Sequence, residues 1–148
     1  MTDDDERRRA LDRSIRALAR RDHSAATLRA KLDRAGISPT AQTDVVETLE
    51  RIGYVDDERF ARDRAAQLAE RGYGDEWIRA DLEAQGVGRE LVDPALTLLR
   101  PELDRAAREA ANAGGGLRSV RMLARRGFSD ETLEVLMDDA VAAEPHEE

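Results

Sequence analysis
Apolar positions recur along this chain at intervals of three and four, and no stretch alternates with period two. That pattern predicts helices and no sheet. Near the N-terminus, Asp3 with Glu6 three residues on reads as a capping box, and Leu11, Ile15 and Leu18 follow as the buried stripe of a first helix. Ser24 caps a second helix with Leu28 and Leu32 on its inner face, and Gly36 supplies the left-handed position after its end. Ser38-Pro39 opens a third helix with a cap and a proline at N1, where the missing N–H costs nothing. Val45, Leu49 and Ile52 are its inward residues, and Gly53 ends it.

The same pattern then returns. The segment from Ser24 through Leu28 and Leu32 to Gly36-Ile37-Ser38 is matched fifty residues on by Gly74 through Ile78 and Leu82 to Gly86-Val87-Gly88. A looser third copy ends forty-one residues further at Leu123 and Gly127-Phe128-Ser129, with Ser119 where Leu28 and Ile78 stood. Recurrence of a cap, two apolar anchors, a glycine and a second cap predicts tandem units. The second unit runs through Asp56, Gly74 and Gly86, and Pro101 begins the third. The last helix starts at Ser129, with Asp130 and Glu131 in its first turn and Leu133, Leu136, Met137, Ala140 and Val141 as its stripe. The expected fold is all-α: three tandem three-helix repeats over residues 1–54, 55–100 and 101–143, with 144–148 as an acidic frayed tail. One stripe is too small to stand alone, so stacking is expected to complete the core. Gly114-Gly115-Gly116 is the expected flexible point.

Charge adds a direction to this picture. Residues 129–148 hold eight acids and no Lys or Arg, whereas 105–126 hold six arginines against Glu109 alone. A balanced body with a basic segment and an acidic end suggests a charged partner. Arg118, Arg121 and Arg125 share one helix face while Leu117, Val120 and Ala124 share another. Arg9, Arg13, Arg16 and Arg20 form a similar stripe in the first helix. These seven arginines are the candidate partner-binding residues; pairing of the first three with the acidic last helix is the competing structural reading. Cysteine is absent, no apolar run approaches a membrane span, and residues 2–9 lack the apolar core of a signal peptide. A cytoplasmic monomer is expected.

Candidate chemistry is sparse. His23 and His146 have no metal-ligand spacing, and Asp56/Asp57 and Asp138/Asp139 are adjacent pairs that diverge on a helix. Gly114 to Gly116 lacks the Lys-Ser/Thr of a phosphate loop. No catalytic residue, metal or cofactor is expected.

The densest signal is Gly53-Tyr54-Val55-Asp56-Asp57-Glu58-Arg59-Phe60-Ala61. Gly53 stops one helix, Asp56 caps the next, and Val55 and Phe60 occupy the staple positions around that cap. Tyr54, Phe60 and Tyr73 are read as packing at the repeat junctions, and Trp77 as the aromatic with an exposed face. The nine-residue segment closely resembles the hallmark of RecX proteins, as do Ala17 to Arg21, Arg71-Gly72-Tyr73-Gly74, and Leu82 to Gly86-Val87. The resemblance implies a curved, modular body that binds RecA within its filament on DNA and inhibits ATP hydrolysis and strand exchange. Direct, non-specific contact with single- or double-stranded DNA is less assured, because Asp75, Glu76 and Trp77 stand where relatives often carry bases. The alternative is a helix-turn-helix DNA-binding regulator, suggested by the corner at Leu82, Gly86-Val87 and Val92. Against it, the third helices carry acids: Asp44, Glu47, Glu50; Glu90, Asp93; Glu131, Glu134, Asp138 and Asp139.

Overall fold
The computed structural model describes residues 2–143; the predicted tail at 144–148 lies outside them. Among the described residues there are helices and no strands. In chain order they are α1 (Asp3–Arg20), α2 (Ala25–Arg34), α3 (Pro39–Arg51), α4 (Asp57–Glu70), α5 (Asp75–Ala84), α6 (Arg89–Thr97), α7 (Glu102–Asn112), α8 (Gly116–Arg125) and α9 (Asp130–Ala143). The fold is three tandem three-helix repeats. The three middle helices, α2, α5 and α8, are ten residues each and stand in strict register.

Local signals account for most helix ends. Ser24 accepts from Thr27 N, Ser38 from Ala41 N and Asp56 from Arg59 N, each satisfying a first-turn donor that the helix cannot. The start of α1 differs from expectation: Thr2 is the cap, its Oγ1 accepting from Asp5 N at 3.1 Å. Glu6 is thereby free to close the unit, and its carboxylate accepts from Ser38 Oγ at the head of α3.

Each unit closes its own apolar cluster. The first is built from Ala10, Ala17, Leu28, Leu32, Ile37, Ala41, Val45, Val46, Leu49 and Val55. The second gathers Phe60, Ala61, Ala65, Leu68, Ile78, Leu82, Val87, Val92 and Ala95. The third is small, with Ala106, Leu123 and Phe128 buried and Leu133 and Leu136 packed against them. Burial of each large aliphatic chain contributes roughly 1.5–3 kcal/mol. The expectation that stacking completes one core is therefore corrected: the units are joined by hydrogen bonds and ion pairs. The staple pair is likewise divided, with Val55 in the first cluster and Phe60 in the second.

Several stripe residues also point elsewhere. The inner face of α1 is Ala10, Ser14 and Ala17, and Ile15 is 46% exposed. Small residues let α1 approach closely, and the buried Ser14 hydroxyl is satisfied by Ala10 O at 2.8 Å. Ile52 is the C-cap of α3 and 56% exposed, and the buried face of that helix includes Val46 beside Val45 and Leu49. On α9, Met137 and Val141 face solvent, since the helix packs mainly on α8 and less on α7.

The middle helices are stacked end to end. Gly74 N, at the head of α5, donates to Arg126 O beyond the tail of α8 at 2.8 Å, and Glu76 N donates to Gly127 O at 3.0 Å. At the other junction Ser24 Oγ, at the head of α2, donates to Gln85 O beyond the tail of α5 at 2.6 Å. Helix dipoles aligned in this way place donor-rich starts on acceptor-rich ends. Two glycines permit the approach. A Cβ on Gly74 would lie 2.4 Å from Phe128 N, and one on Gly86 would lie 2.3 Å from Ala26 Cβ.

Candidate partner-binding surface
The junction motif is resolved into individual tasks. Asp56 caps its own helix, α4, whereas Asp57 reaches back to the preceding unit, where its Oδ1 accepts from Ala25 N at 2.8 Å. Glu102, the first residue of α7, does the same for the second unit: its Oε2 accepts from Asp75 N at 2.7 Å. Its Oε1 accepts from Ser129 N, Ser129 Oγ and Thr132 Oγ1 at 3.0, 2.5 and 2.7 Å. Burial would raise the Glu102 pKa, but these hydrogen bonds outweigh it and hold the carboxyl below its usual range. Arg59 ties the motif together by donating to Gly53 O at 3.1 Å. Adjacent aspartates with different addressees explain why two are needed, which spacing alone did not reveal.

The aromatic residues separate. Phe60 is buried and Tyr73 half-buried, stacked on Trp77 with ring centroids 4.6 Å apart. Trp77 keeps an exposed face. Tyr54, expected to pack at the junction, is 58% exposed, because Val55 fills the inward position beside it. With Ile15, Leu18, Ala19, Asp22, Gly53 and Arg59, Tyr54 lines an open depression. This apolar patch was missed because Ile15 sits at core spacing and only packing shows which side of α1 is occupied.

Both arginine stripes lie on the surface. Arg9, Arg13, Arg16 and Arg20 are exposed along α1, and with Asp12, Ala17 and Lys31 they line a shallow basic depression. Within it Arg16 pairs with Asp12 at 3.3 Å and Arg9 donates to Ala35 O at 3.1 Å. Arg118, Arg121 and Arg125 are exposed along α8. Among the described residues they make no ion pair, with α9 or any other element. The neighbouring Arg105 and Arg126 are structural: Arg105 clamps Asp75 and donates to Tyr73 O at 3.2 Å, and Arg126 pairs with Glu109 at 3.4 Å. The basic segment therefore includes half-buried ties, Arg105 and Arg126, and an exposed row without ion pairs among the described residues.

His23 sits at the first junction, buried, with Nδ1 3.4 Å from Thr27 Oγ1 and Nε2 without a partner among the described residues. Burial, then Arg21 and Lys31, lowers its pKa from 6.5. The folded chain thus disfavours the protonated ring relative to the unfolded chain, which protonates it near 6.5. The stability it permits is present above that pH and is lost as pH falls through the depressed folded value. Urea midpoints should decline as pH is lowered below about 6.5, and His23→Gln should flatten that part of the profile. An unchanged slope in the variant would contradict this assignment. No group of three or more His, Cys, Asp or Glu among the described residues is placed to hold a metal. No described helix is long and apolar enough to cross a membrane.

Comparison with known proteins agrees with this architecture. The RecX second three-helix domain matches residues 56–96. Regulatory protein RecX of Xanthomonas campestris pv. campestris is 32% identical over 135 residues, covering 84% of this chain and 83% of its own. That of Cronobacter sakazakii is 30% identical over 160 residues, covering 92% and 97%. The crystal structure of RecX from Lactobacillus salivarius superposes with a TM-score of 0.78 at 14% identity, over 93% of this chain and 98% of that one. Order of elements, motif and sequence identity together place the chain in the RecX family of regulatory proteins.

Proposed function
We propose that the chain is a non-catalytic cytoplasmic regulator that binds the filament RecA forms on DNA and restrains its ATP hydrolysis, extension and strand exchange. The observation that carries the reading is the row of Arg118, Arg121 and Arg125, exposed and without an ion pair among the described residues in a RecX-family body. Ion pairs with acidic subunit surfaces, or contacts to phosphates, suit such a row. The units, taken as 1–54, 55–100 and 101–143, are joined by backbone contacts that hold their spacing, so a body of this kind can bridge neighbouring subunits. The α1 stripe and the Tyr54 patch would supply a second contact. A regulator of this kind works by preferring one filament state over another, and its effect is limited by that preference.

Sequence-specific DNA reading fits less well. The outward positions of α3 include Asp44, Glu47 and Glu50, and those of α6 include Glu90 and Asp93, all exposed. Acids there would repel phosphates. Co-sedimentation with RecA filaments on single-stranded DNA, compared with binding to bare duplex, separates the two. Pelleting with filaments at concentrations where duplex is not bound is the expected outcome. Tight binding of duplex alone, with no filament binding, would contradict the proposal in favour of the DNA-binding reading.

A further inference from the structure
The two ends of the repeat stack carry complementary halves of the contact that joins the repeats. At each internal junction a glycine beyond the tail of one middle helix is covered by the head of another. A Cβ on Gly86 would meet Ala26, and one on Gly127 would lie 2.6 Å from Trp77. Gly36 is the same position in the first unit, and nothing lies within 4 Å of where its Cβ would be. The preceding carbonyls follow suit. Gln85 O accepts from Ser24 and Arg126 O from Gly74, while the equivalent Ala35 O accepts, among the described residues, from the exposed Arg9 guanidinium.

The bridging carboxylate is half-used in the same way. Glu102 binds Ser129 with Oε1 and caps the preceding unit's Asp75 N with Oε2. Glu6 binds Ser38, the counterpart of Ser129, with Oε1, and among the described residues its Oε2 has no partner. At the opposite end, α8 has no side-chain cap and nothing lies within 4 Å of where a Gly115 Cβ would be. Unlike its counterpart Gly74 N, Gly115 N is held within the unit by Ala110 O at 2.8 Å, so Gly116 N is the donor offered there. The open first end exposes Asp3, Asp4 and Asp5 beside Arg7 and Arg9, and Arg118 and Arg121 lie near the open α8 end, so the aspartates are the groups that can pair across the contact.

We infer that a second copy of this chain docks its α8 head on the Glu6–Ala35–Gly36 face, continuing the stack head to tail. The contact is heterologous, so it propagates rather than closing at two. It does not depend on RecA. Within such a chain, Glu6 Oε2 caps Gly116 N of the next copy, as Glu102 caps Asp75, and Gly36 lies under Leu117 and Arg118.

Asparagine tolerates the left-handed region and Gly36 (φ 79°) has free space, so Gly36→Asn should fold. Gly115, at φ 73° and ψ −171°, admits only glycine, so the α8 end is altered instead by Arg118→Glu with Arg121→Glu, both exposed. The first variant would obstruct the Gly36 end, as a side chain at Gly86 would obstruct its junction, and the second would set carboxylates against Asp3, Asp4 and Asp5. Sedimentation of the full chain at rising concentration, up to about 1 mM, is the test. The expected result is a mass that grows beyond two copies, monomeric behaviour for each variant alone, and a limit of two copies when the variants are mixed. A single 16.5 kDa species throughout, a closed dimer, or variants that associate like the parent would overturn the inference.

Discussion

Gly74→Ala should destabilise the chain by about 3–4 kcal/mol and loosen the third repeat from the second. The φ of Gly74 is −86°, which any residue adopts, so the backbone itself does not forbid alanine. The obstacle is the neighbour: the added methyl would lie 2.5 Å or less from Phe128 N and Gly127 O, and these are backbone atoms that cannot swing aside. Relief requires the α5 head to withdraw from the α8 tail, stretching the hydrogen bonds from Gly74 N and Glu76 N. The overpacking term is about 1–3 kcal/mol and each lost bond about 0.5–1.5 kcal/mol. For a chain this size the melting temperature should fall by roughly 10 °C. Gly88→Ala is the control, since the atoms nearest its Cβ would be those of the Glu90 carboxylate, which can rotate away. Trp77, the single tryptophan, stands at the junction, so urea unfolding followed by its fluorescence reads the contact directly. Equal midpoints for the two variants would mean that the close approach does not hold the repeats together.

Charge reversal of the free arginine row is the second large effect. Arg118→Glu, Arg121→Glu and Arg125→Glu together should weaken binding to RecA filaments by roughly 30- to 150-fold at moderate salt, about 2–3 kcal/mol. Each side chain is exposed and makes no ion pair among the described residues, so stability should change little. The loss should shrink as salt rises, because exposed charges are screened beyond about 8 Å near physiological ionic strength. Reversal of Arg105 or Arg126 is a poor substitute: the first clamps Asp75 and the second Glu109, so folding would suffer before binding. Filament affinity measured by anisotropy across a salt series checks this. Unchanged affinity would move the interface to α1, where Arg9, Arg13, Arg16 and Arg20 lie beside the Tyr54 patch.

The helices and their recurrence were legible because caps, glycines and apolar spacing are local features, written within ten residues of one another. Ser24, Ser38 and Asp56 perform the caps that their positions announced. The junction chemistry was not legible, because its partners are far apart in sequence. Nothing near Asp57 says that it caps Ala25, and nothing near Glu102 says that it serves Asp75 and Ser129 at once. The same limit explains Ile15 and Ile52, which have core spacing but lie off the buried faces, Ala10, Ser14 and Ala17 on α1 and Val45, Val46 and Leu49 on α3. For the candidate surface, helical spacing grouped Arg118, Arg121 and Arg125, but only the structure separates them from Arg105 and Arg126, which are spent on internal contacts. Tyr54 illustrates the converse: a motif residue beside buried Val55 is itself turned to solvent.

The proposed function is tested most directly by RecA's single-strand-dependent ATP hydrolysis, with this chain titrated in at the working salt of the source organism and with that organism's RecA. Inhibition well below one copy per RecA is the predicted result, since a body that bridges subunits acts on the filament as a whole. Hydrolysis unchanged across the titration, at concentrations where the chain is folded, would contradict the account.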